Sequence, residues 1–285
     1  MSMKKILVEI NGSDENQLDF FKKNFTLHPK ISKTPNKKLI CSLEVDPSRL
    51  IMLDDFCKNN LIDFVSYDEL NLDSFKLCLF DMDSTIISIE CIDELADLFN
   101  KKDDVSKITD LAMRGEINFY QSFNQRLMLL KGLNIELFDD VIQSRMKINN
   151  GVERWINFCH NQGIKTVLVS SGFNYFTDHL KSLLNINHSY SNHLDVKNNI
   201  LTGHVIGGVF GPIEKSGIAL KYQNELRVAK HETITIGDGA NDLLMMQNSL
   251  LSVGYHAKPA VKNKALWNIS YGDFETLSNF MGYLI

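Results

Sequence analysis

The chain has 285 residues, a formal net charge of −5 at pH 7, 44% apolar residues and 23% charged residues. This length predicts about two domains, at roughly 150 residues each, and the apolar fraction is too high for a disordered chain. The mild acidity argues against a dedicated nucleic-acid binder, which normally carries a basic excess. Because the sequence shows neither a secretory signal nor an uncharged apolar run of membrane-spanning length, we expect a cytoplasmic protein.

The five cysteines stand at wide, irregular intervals, and no two of them form a C-x-x-C pair. An odd count with such spacing argues against a disulfide framework and against a standard zinc cluster. A reducing compartment is therefore the expectation.

Residues 1–70, here called the N-terminal unit, alternate strand-like and helical patterns. Strands are predicted at residues 6–10, 39–45 and 61–65, and helices at residues 17–24 and 49–60. Residues 29–38, with two prolines, leave a further strand and a loop equally open. The order is close to β-α-β-β-α-β, which is typical of a small ferredoxin-like α+β domain.

From residue 76 onward, short apolar strands alternate with amphipathic helices. The strands are predicted at residues 77–80, 166–169, 233–236, 251–253 and 267–269. Such alternation predicts an α/β fold with a Rossmann-like parallel sheet covered by helices. About 85 residues separate Phe80 from Thr166, and their apolar spacing is helical. A helical cap inserted at about residues 90–150 explains the excess length.

Two carboxylates follow the first of these strands directly. Asp81 and Asp83 are two residues apart, so in extended backbone their side chains point the same way. Carboxylates that close repel each other unless a cation or a shared proton relieves them. The alternative is a solvated acidic loop, whereas an EF-hand is excluded because Ile86 and Ile92 replace its Gly and Glu. A buried strand that runs straight into two acids favours a functional site.

Polar groups that suit an anion occur at two further places. Ser170 and Ser171 follow a predicted strand in a Ser-Ser-Gly turn, which offers hydroxyls and free N–H groups. Lys215 follows a hairpin-like stretch at residues 194–206 and supplies a cation. Each signal is weak alone, since Ser-Gly turns are common and an isolated lysine is more often a surface residue.

Residues 237–242 read Gly-Asp-Gly-Ala-Asn-Asp and nearly match a dinucleotide-binding fingerprint. Asp238 and Asp242 would repel a pyrophosphate, so a dinucleotide is disfavoured. A carboxylate held between glycines can instead approach a metal ion. Together with Asp81, it forms an oxygen-rich group that suits Mg²⁺.

In this order, these motifs resemble those of the haloacid dehalogenase-like phosphatases over about residues 77–261: Asp-x-Asp-Ser-Thr, a hydroxyl strand end, Lys, and Gly-Asp-Gly-x-Asn-Asp. The resemblance implies that Asp81 is a nucleophile that forms an aspartyl-phosphate, and that Asp83 is the general acid and base. It implies Mg²⁺ held by the Asp81 side chain, the Asp83 backbone carbonyl and Asp238, with Asp242 in support. It implies substrate phosphoryl binding by Ser170, Ser171, Lys215 and Asn241. Ser171 stands where many members have Gly, which adds a side chain beside the phosphate.

In this family the cap carries substrate-binding residues. By resemblance, Glu90 would hold a substrate ammonium and Arg126 a carboxylate, while Met113 and Phe119 would keep water out. From the residues alone, Arg126 lies on an apolar helical stripe, where carboxylate binding and snorkelling to water are equally open. Glu90 alone is more typical of a solvated acidic helix face. The implied reaction is Mg²⁺-dependent hydrolysis of O-phosphoserine, the last step of serine synthesis.

Two other functions stay open at this stage. One is hydrolysis or transfer of another small phosphate ester, and the other is an amino-acid-responsive regulator in which the N-terminal unit is the working part. That unit lies outside the resemblance, and we expect an accessory domain similar to small amino-acid-binding (ACT-like) modules. Residues 75–285 would then be the phosphatase domain. We expect a small-molecule substrate, no nucleic-acid or membrane partner, and a monomer or homodimer.

Overall fold

The computed structural model of the chain describes residues 2–33, 38–68, 70 and 74–284. Its first part is a four-stranded antiparallel sheet in the order β2-β3-β1-β4. The strands are β1 (Lys4–Asn11), β2 (Thr26–Lys33), β3 (Lys38–Val45) and β4 (Phe64–Ser66), and the helices are α1 (Glu15–Asn24) and α2 (Leu50–Asn59). This order is that of a ferredoxin-like unit, so the predicted α+β fold is confirmed. The open stretch at residues 29–38 is strand as far as residue 33, and residues 34–37 lie outside the described part.

The alternation of β1 explains how the small sheet buries both faces. Ile6, Val8 and Ile10 belong to one buried cluster with Phe21 of α1 and Leu53 of α2. Leu7 lies between Ile6 and Val8, and it points to the opposite face because side chains alternate along a strand. It is buried with the core of the rest of the chain.

A buried carboxylate fastens this second face to the end of the chain. Glu9 accepts hydrogen bonds from Thr276 Oγ1 at 2.5 Å and Asn279 Nδ2 at 2.7 Å, and it pairs with Lys38 at 2.7 Å. The two donors lie on the helix Phe274–Leu284, which is α12. A buried charge with these three partners is compensated, so the N-terminal unit is docked and not loosely tethered.

The second sheet has seven strands in the order β11-β10-β9-β5-β6-β7-β8. The strands are β5 (Leu77–Phe80), β6 (Lys165–Phe173), β7 (His188–Lys197), β8 (Ile200–Ile206), β9 (Thr233–Gly237), β10 (Leu251–Tyr255) and β11 (Trp267–Ile269). All neighbouring pairs are parallel except β7 and β8, which form an antiparallel hairpin. Strand β5 is central and buried along its whole length, as its unbroken apolar run predicts.

Helices cover both faces of this sheet, and four of them form the inserted cap. The cap helices are α3 (Cys91–Leu98), α4 (Lys102–Met113), α5 (Phe119–Leu129) and α6 (Glu136–Ser144). The others are α7 (Val152–Asn161), α8 (Asn174–Leu183), α9 (Pro212–Leu226), α10 (Leu243–Met246), α11 (Pro259–Lys262) and α12 (Phe274–Leu284). The segments that leave and re-enter the sheet domain touch at an isolated bridge between Ile87 and Ile148. The predicted α/β core with a helical cap is confirmed.

The segment at residues 270–276 contacts two distant parts of the chain. The Asp63 carboxylate accepts hydrogen bonds from the backbone N–H groups of residues 270–272. The nitrogens of Ser270 and Gly272 lie 2.8 Å and 2.7 Å from its oxygens. At its other end, Phe274 N–H donates to the carbonyl of Asn150, where the chain returns from the cap. Gly151 follows with φ +83°, and a Cβ there would lie 2.2 Å from the Glu275 nitrogen. The N-terminal unit and the cap return are therefore packed against one short segment.

No helix in the described ranges is both long enough and apolar enough to cross a membrane.

Candidate active site

A buried ion-pair cluster forms at the carboxyl ends of β5 and β9. The Lys215 ammonium lies 2.7 Å from Asp81 Oδ1 and 2.8 Å from Asp242 Oδ1, and its side chain is fully buried. Asp81 Oδ1 also accepts the Met82 backbone N–H at 2.8 Å. The expectation of a surface lysine, favoured by residue type alone, does not describe Lys215.

Burial alone would lower the pKa of Lys215, but the charges of Asp242 and Asp81 outweigh it and raise that pKa. The lysine is therefore a fixed cation, and it holds one Asp81 oxygen in place. The other oxygen, Oδ2, lies at the 3.5 Å limit for a hydrogen bond from Asn241 Nδ2. The geometry leaves Oδ2 as the less engaged oxygen of Asp81.

Three carboxylates near this point could hold a metal ion. Asp81, Asp238 and Asp242 each place an oxygen within 4.8 Å of the others. Burial, reinforced by repulsion from Asp81, raises the pKa of Asp238 to about 6. A cation would relieve that repulsion, and an all-oxygen set fits a hard divalent ion. Asp242 is already engaged, because its two oxygens accept Lys215 and the Gly239 N–H at 3.2 Å.

Asp83 lies beside the same cluster, and its surroundings favour the protonated acid. Its Oδ1 accepts the Cys91 N–H at a long distance, 3.4 Å. Burial, and next the charge of Glu90, raise the pKa of Asp83 well above its usual range. A raised pKa favours the protonated carboxyl group, which can donate a proton as a general acid does.

The serine motif is part of strand β6 and not a turn beyond it, so the predicted strand end was placed too early. The strand changes register between Val169 and Phe173, which re-aims the residues in between. Ser170 Oγ accepts the Gly172 N–H at 2.9 Å. A Cβ on Gly172 would lie 2.8 Å from Met82 Cε and 3.0 Å from Asp83 Oδ2. Glycine therefore allows this strand to approach Met82 and Asp83 closely.

Above these groups lies a cavity of about 800 Å³ between the sheet edge and the cap. Ten of the twelve residues predicted from the sequence line it: Asp81, Asp83, Glu90, Met113, Phe119, Arg126, Ser170, Ser171, Asp238 and Asn241. The other two are buried: Lys215 contacts Asp81 of the cavity wall, and Asp242 contacts Lys215 and the Gly239 N–H. The structure thus brings all twelve to one place.

Opposite charges face each other on the cap side of the cavity. Burial lowers the pKa of Arg126, although the negative charges of Asp93 and Glu90 act to raise it. The Arg126 Nε has no hydrogen-bond partner among the described residues. Arg126 thus lines the cavity with its Nε shielded from solvent. Glu90 accepts the Ser84 hydroxyl at 2.9 Å, on the cavity side. The acidic helix face that the sequence shows is divided, because Glu94 and Asp97 pair instead with Arg145.

The apolar candidates occupy different positions. Phe119 packs on Gly211, where a Cβ would lie 2.7 Å from its ring. Met113 is 79% exposed at the rim, so in this conformation its side chain covers little of the cavity. The Ser171 hydroxyl is buried and has no hydrogen-bond partner among the described residues.

Ser84, Asp93 and Lys258 are among the cavity residues to which the sequence assigns no role. Lys258 lies 3.0 Å from Asp238 Oδ2 and 3.7 Å from Glu90 Oε1. It follows β10, the neighbour of β9, so the rule that ligands bind beyond strand ends applied to it as well.

Comparison with known proteins agrees with this geometry. The model of the haloacid dehalogenase-like hydrolase family matches residues 75–249. The phosphoserine phosphatase of Polaromonas sp. (strain JS666 / ATCC BAA-500) is 42% identical over 218 residues, covering 75% of this chain and 92% of that protein. The chain belongs to the haloacid dehalogenase-like hydrolases. Within that family its place is among the phosphoserine phosphatases, as the motif order predicts.

Two solved structures extend the comparison. A probable phosphoserine phosphatase from Vibrio cholerae, in its unliganded form, has a TM-score of 0.85 and 29% identity, covering 98% of this chain and 87% of that one. A phospho-aspartyl intermediate analogue of phosphoserine phosphatase has a TM-score of 0.68 and 36% identity, covering 72% of this chain and 98% of that one. The first match includes the N-terminal unit.

Proposed function

We propose that this enzyme hydrolyses O-phospho-L-serine to serine and phosphate through an aspartyl-phosphate on Asp81, the last step of serine biosynthesis. One observation carries the proposal: the cavity has a phosphate end and an amino-acid end. Lys215 and Ser170 lie around Asp81 at the first, and Glu90 and Arg126 supply charges of opposite sign at the second. A phosphorylated amino acid has matching charges in the same arrangement.

The first half-reaction follows from the engagement of the Asp81 oxygens. Lys215 and the Met82 N–H hold Oδ1, so Oδ2 is the oxygen that attacks phosphorus. A bond forms between Oδ2 and phosphorus while the bond from phosphorus to the serine oxygen breaks. Asp83 donates its proton to that leaving oxygen, which departs as the serine hydroxyl.

The second half-reaction returns the enzyme to its starting state. Asp83, now a carboxylate, takes a proton from a water molecule that attacks the phosphorus of the aspartyl-phosphate. The bond between phosphorus and Asp81 Oδ2 breaks, and inorganic phosphate leaves. The raised pKa of Asp83 favours its return to the protonated form.

The ion that we assign to the site is Mg²⁺. Asp81, Asp238 and the backbone carbonyl of Asp83 would hold it, with Asp242 in support. When bound, Mg²⁺ neutralises the repulsion between the Asp81 carboxylate and a phosphate dianion. The all-oxygen donor set supports a hard ion of this kind.

The remaining site residues act on the substrate. Ser170, Ser171 and Lys215 contact the phosphoryl oxygens, and Asn241 orients Asp81. Glu90 receives the ammonium of the substrate, and Arg126 its carboxylate, since a guanidinium fork matches a carboxylate in two parallel hydrogen bonds. The Arg126 Nε, buried without a partner in the described ranges, supports this role.

The decisive experiment is phosphate release from a substrate panel with and without Mg²⁺. Phosphoserine should be hydrolysed far faster than glucose phosphate, and removal of the metal by a chelator should stop turnover. Equal rates on the two substrates would refute the substrate assignment. They would favour instead a phosphatase for small esters in general.

We further propose that residues 1–70 form an accessory, ACT-like domain and residues 75–285 the phosphatase domain. A cytoplasmic location is supported by the five cysteines, all of which are unpaired and buried. The assembly would be a monomer or a homodimer. Deletion of residues 1–70 should remove any response to serine if that unit is a sensor.

A further inference from the structure

Lys258 is a basic residue of the cavity that the proposed reaction does not use. Of the charged residues that line the cavity, five are acidic and two are basic. The acidic residues are Asp81, Asp83, Glu90, Asp93 and Asp238, and the basic ones are Arg126 and Lys258. Lys215 lies beneath the cavity wall, where it is fully buried and paired with Asp81 and Asp242.

The position of Lys258 is fixed by its main chain. Its backbone N–H donates to the Asp238 carbonyl at 2.8 Å, so the residue is fastened to the end of β9. Helix α11 begins at the next residue, Pro259, whose ring suits the first turn of a helix. Two residues before Lys258, the His256 N–H donates to the Ile269 carbonyl on β11. A lysine held on both sides in this way has a limited range for its ammonium.

The ammonium contacts two carboxylates that the proposed reaction assigns to different ligands. Asp238 Oδ2, at 3.0 Å, belongs to the metal site, and Glu90 Oε1, at 3.7 Å, belongs to the amino-acid end. Ser84 donates to the same Glu90 oxygen at 2.9 Å, so that oxygen is shared between a hydroxyl and a cation. Lys258 therefore contacts both the proposed metal site and the proposed site of the substrate ammonium.

We propose that Lys258 is a positioning residue that acts as a built-in counter-cation: in the unloaded enzyme it occupies the places of the divalent ion at Asp238 and of the substrate ammonium at Glu90. This inference rests on the proposed function. Without Lys258, Asp238 and Glu90 would face the cavity with no cation between them. With it, both incoming cations must compete with the lysine.

The competition predicts the direction in which the affinity for a divalent ion changes when Lys258 is removed. A positive charge at 3.0 Å from a metal-binding oxygen weakens the attraction of that oxygen for a divalent ion. Removing the charge should therefore tighten metal binding, which is the opposite of what loss of a metal ligand or of a supporting structure would do. Because the Lys258 side chain is 57% exposed, we expect a change of only about three- to tenfold in the dissociation constant.

The test measures binding of Mn²⁺, by electron paramagnetic resonance and calorimetry, to the enzyme without substrate. Lys258→Met should bind Mn²⁺ about three- to tenfold more tightly than the unmodified enzyme, while Lys258→Arg should bind it about equally. Lys262→Met is the matched control, since it removes the same charge from an exposed position on the same helix. It should leave the dissociation constant within twofold.

A second measurement addresses the amino-acid end at saturating metal. In Lys258→Met, the KM for phosphoserine should fall relative to that for p-nitrophenyl phosphate, which has no ammonium group. Unchanged or weaker Mn²⁺ binding in Lys258→Met, or an equal change in Lys262→Met, would overturn the inference. The Mn²⁺ measurement needs no turnover, so it stays informative even if phosphoserine is not the substrate.

Discussion

The Tyr120 hydroxyl donates a hydrogen bond to Glu214 Oε2 at 2.8 Å and so joins cap helix α5 to the first turn of α9. The same carboxylate oxygen accepts the Gly211 N–H at 2.9 Å, which caps α9. The next residue is Lys215, the cation that holds Asp81. The residue that binds the cap and the lysine that holds Asp81 are therefore neighbours at the start of α9.

Tyr120→Phe removes this bond and keeps the ring. We expect kcat/KM for phosphoserine to fall about three- to tenfold and stability to fall by about 1 kcal/mol, the usual contribution of one hydrogen bond. Hydrogen exchange should become faster in residues 119–129. Tyr271→Phe, at an exposed tyrosine of the 270–276 segment, is the control and should change neither quantity. Unchanged exchange in the cap would show that other contacts hold it closed.

Lys215→Met leaves Asp81 and Asp242 buried without their shared cation. We expect a loss of about 3–5 kcal/mol in the free energy of unfolding, since an uncompensated buried charge is strongly unfavourable. Mg²⁺ should restore part of the loss. Urea unfolding with and without the ion measures both effects. The control Lys221→Met lies on the exposed side of the same helix and should cost less than about 1 kcal/mol.

Arg126→Ala should separate substrate recognition from chemistry. The guanidinium has no role at the phosphorus, so the loss in kcat/KM should be large, about 100-fold or more, for phosphoserine and small for p-nitrophenyl phosphate. Steady-state kinetics on both substrates give the ratio. Equal losses on the two would mean that Arg126 supports the cap and does not bind a carboxylate.

Two glycines at the ends of α7 make a matched pair. Gly151 and Gly163 both have positive φ, +83° and +70°, so alanine is strained at either position. Only at Gly151 would the Cβ meet backbone, 2.2 Å from the Glu275 nitrogen, whereas nothing lies within 4 Å at Gly163. We expect Gly163→Ala to cost about 1–2 kcal/mol and Gly151→Ala clearly more. Similar losses would mean that the 270–276 segment can move aside.

The buried thiols predict an alkaline limit to stability. Burial raises the pKa of Cys41 to about 11 and that of Cys57 to about 12, from 9.0. Below pH 9 each thiol makes its full contribution to the free energy of unfolding. This contribution is lost as the pH rises towards 11 or 12, because the thiols of the unfolded chain ionise first. Urea unfolding should show falling stability above pH 9. At pH 8 the native protein should react with Ellman's reagent far more slowly than the unfolded one.

Residue type and spacing predicted the parts of the fold where local pattern and tertiary environment agree. Strand β5, with four apolar residues followed by two acids, is an example. Strand β7 was recognised only in its hairpin half, because its first residues, His188 to Asn192, are mostly polar and its partners on the sheet could not be seen in the local pattern. Pairing between distant segments overrides such patterns.

The site was harder to predict wherever a charge is buried. Lys215 reads as a surface residue, and only the two aspartates that meet it in space make its burial possible. Glu90 reads as part of an acidic face, yet its place at the start of α3 directs it into the cavity. The family resemblance implies the roles of Lys215 and Glu90, whereas it implies no role for Lys258.

The docking of Glu9 on α12 has a consequence for synthesis of the chain. Strand β1 is made early, but its partner Thr276 lies 267 residues later in the chain. Until that helix leaves the ribosome, Glu9 lacks both of its donors on α12, and the face of the small sheet that carries Leu7 lacks part of its packing. Nascent N-terminal units should therefore be open to proteases and to chaperones, and they should gain resistance only when the end of α12 is released.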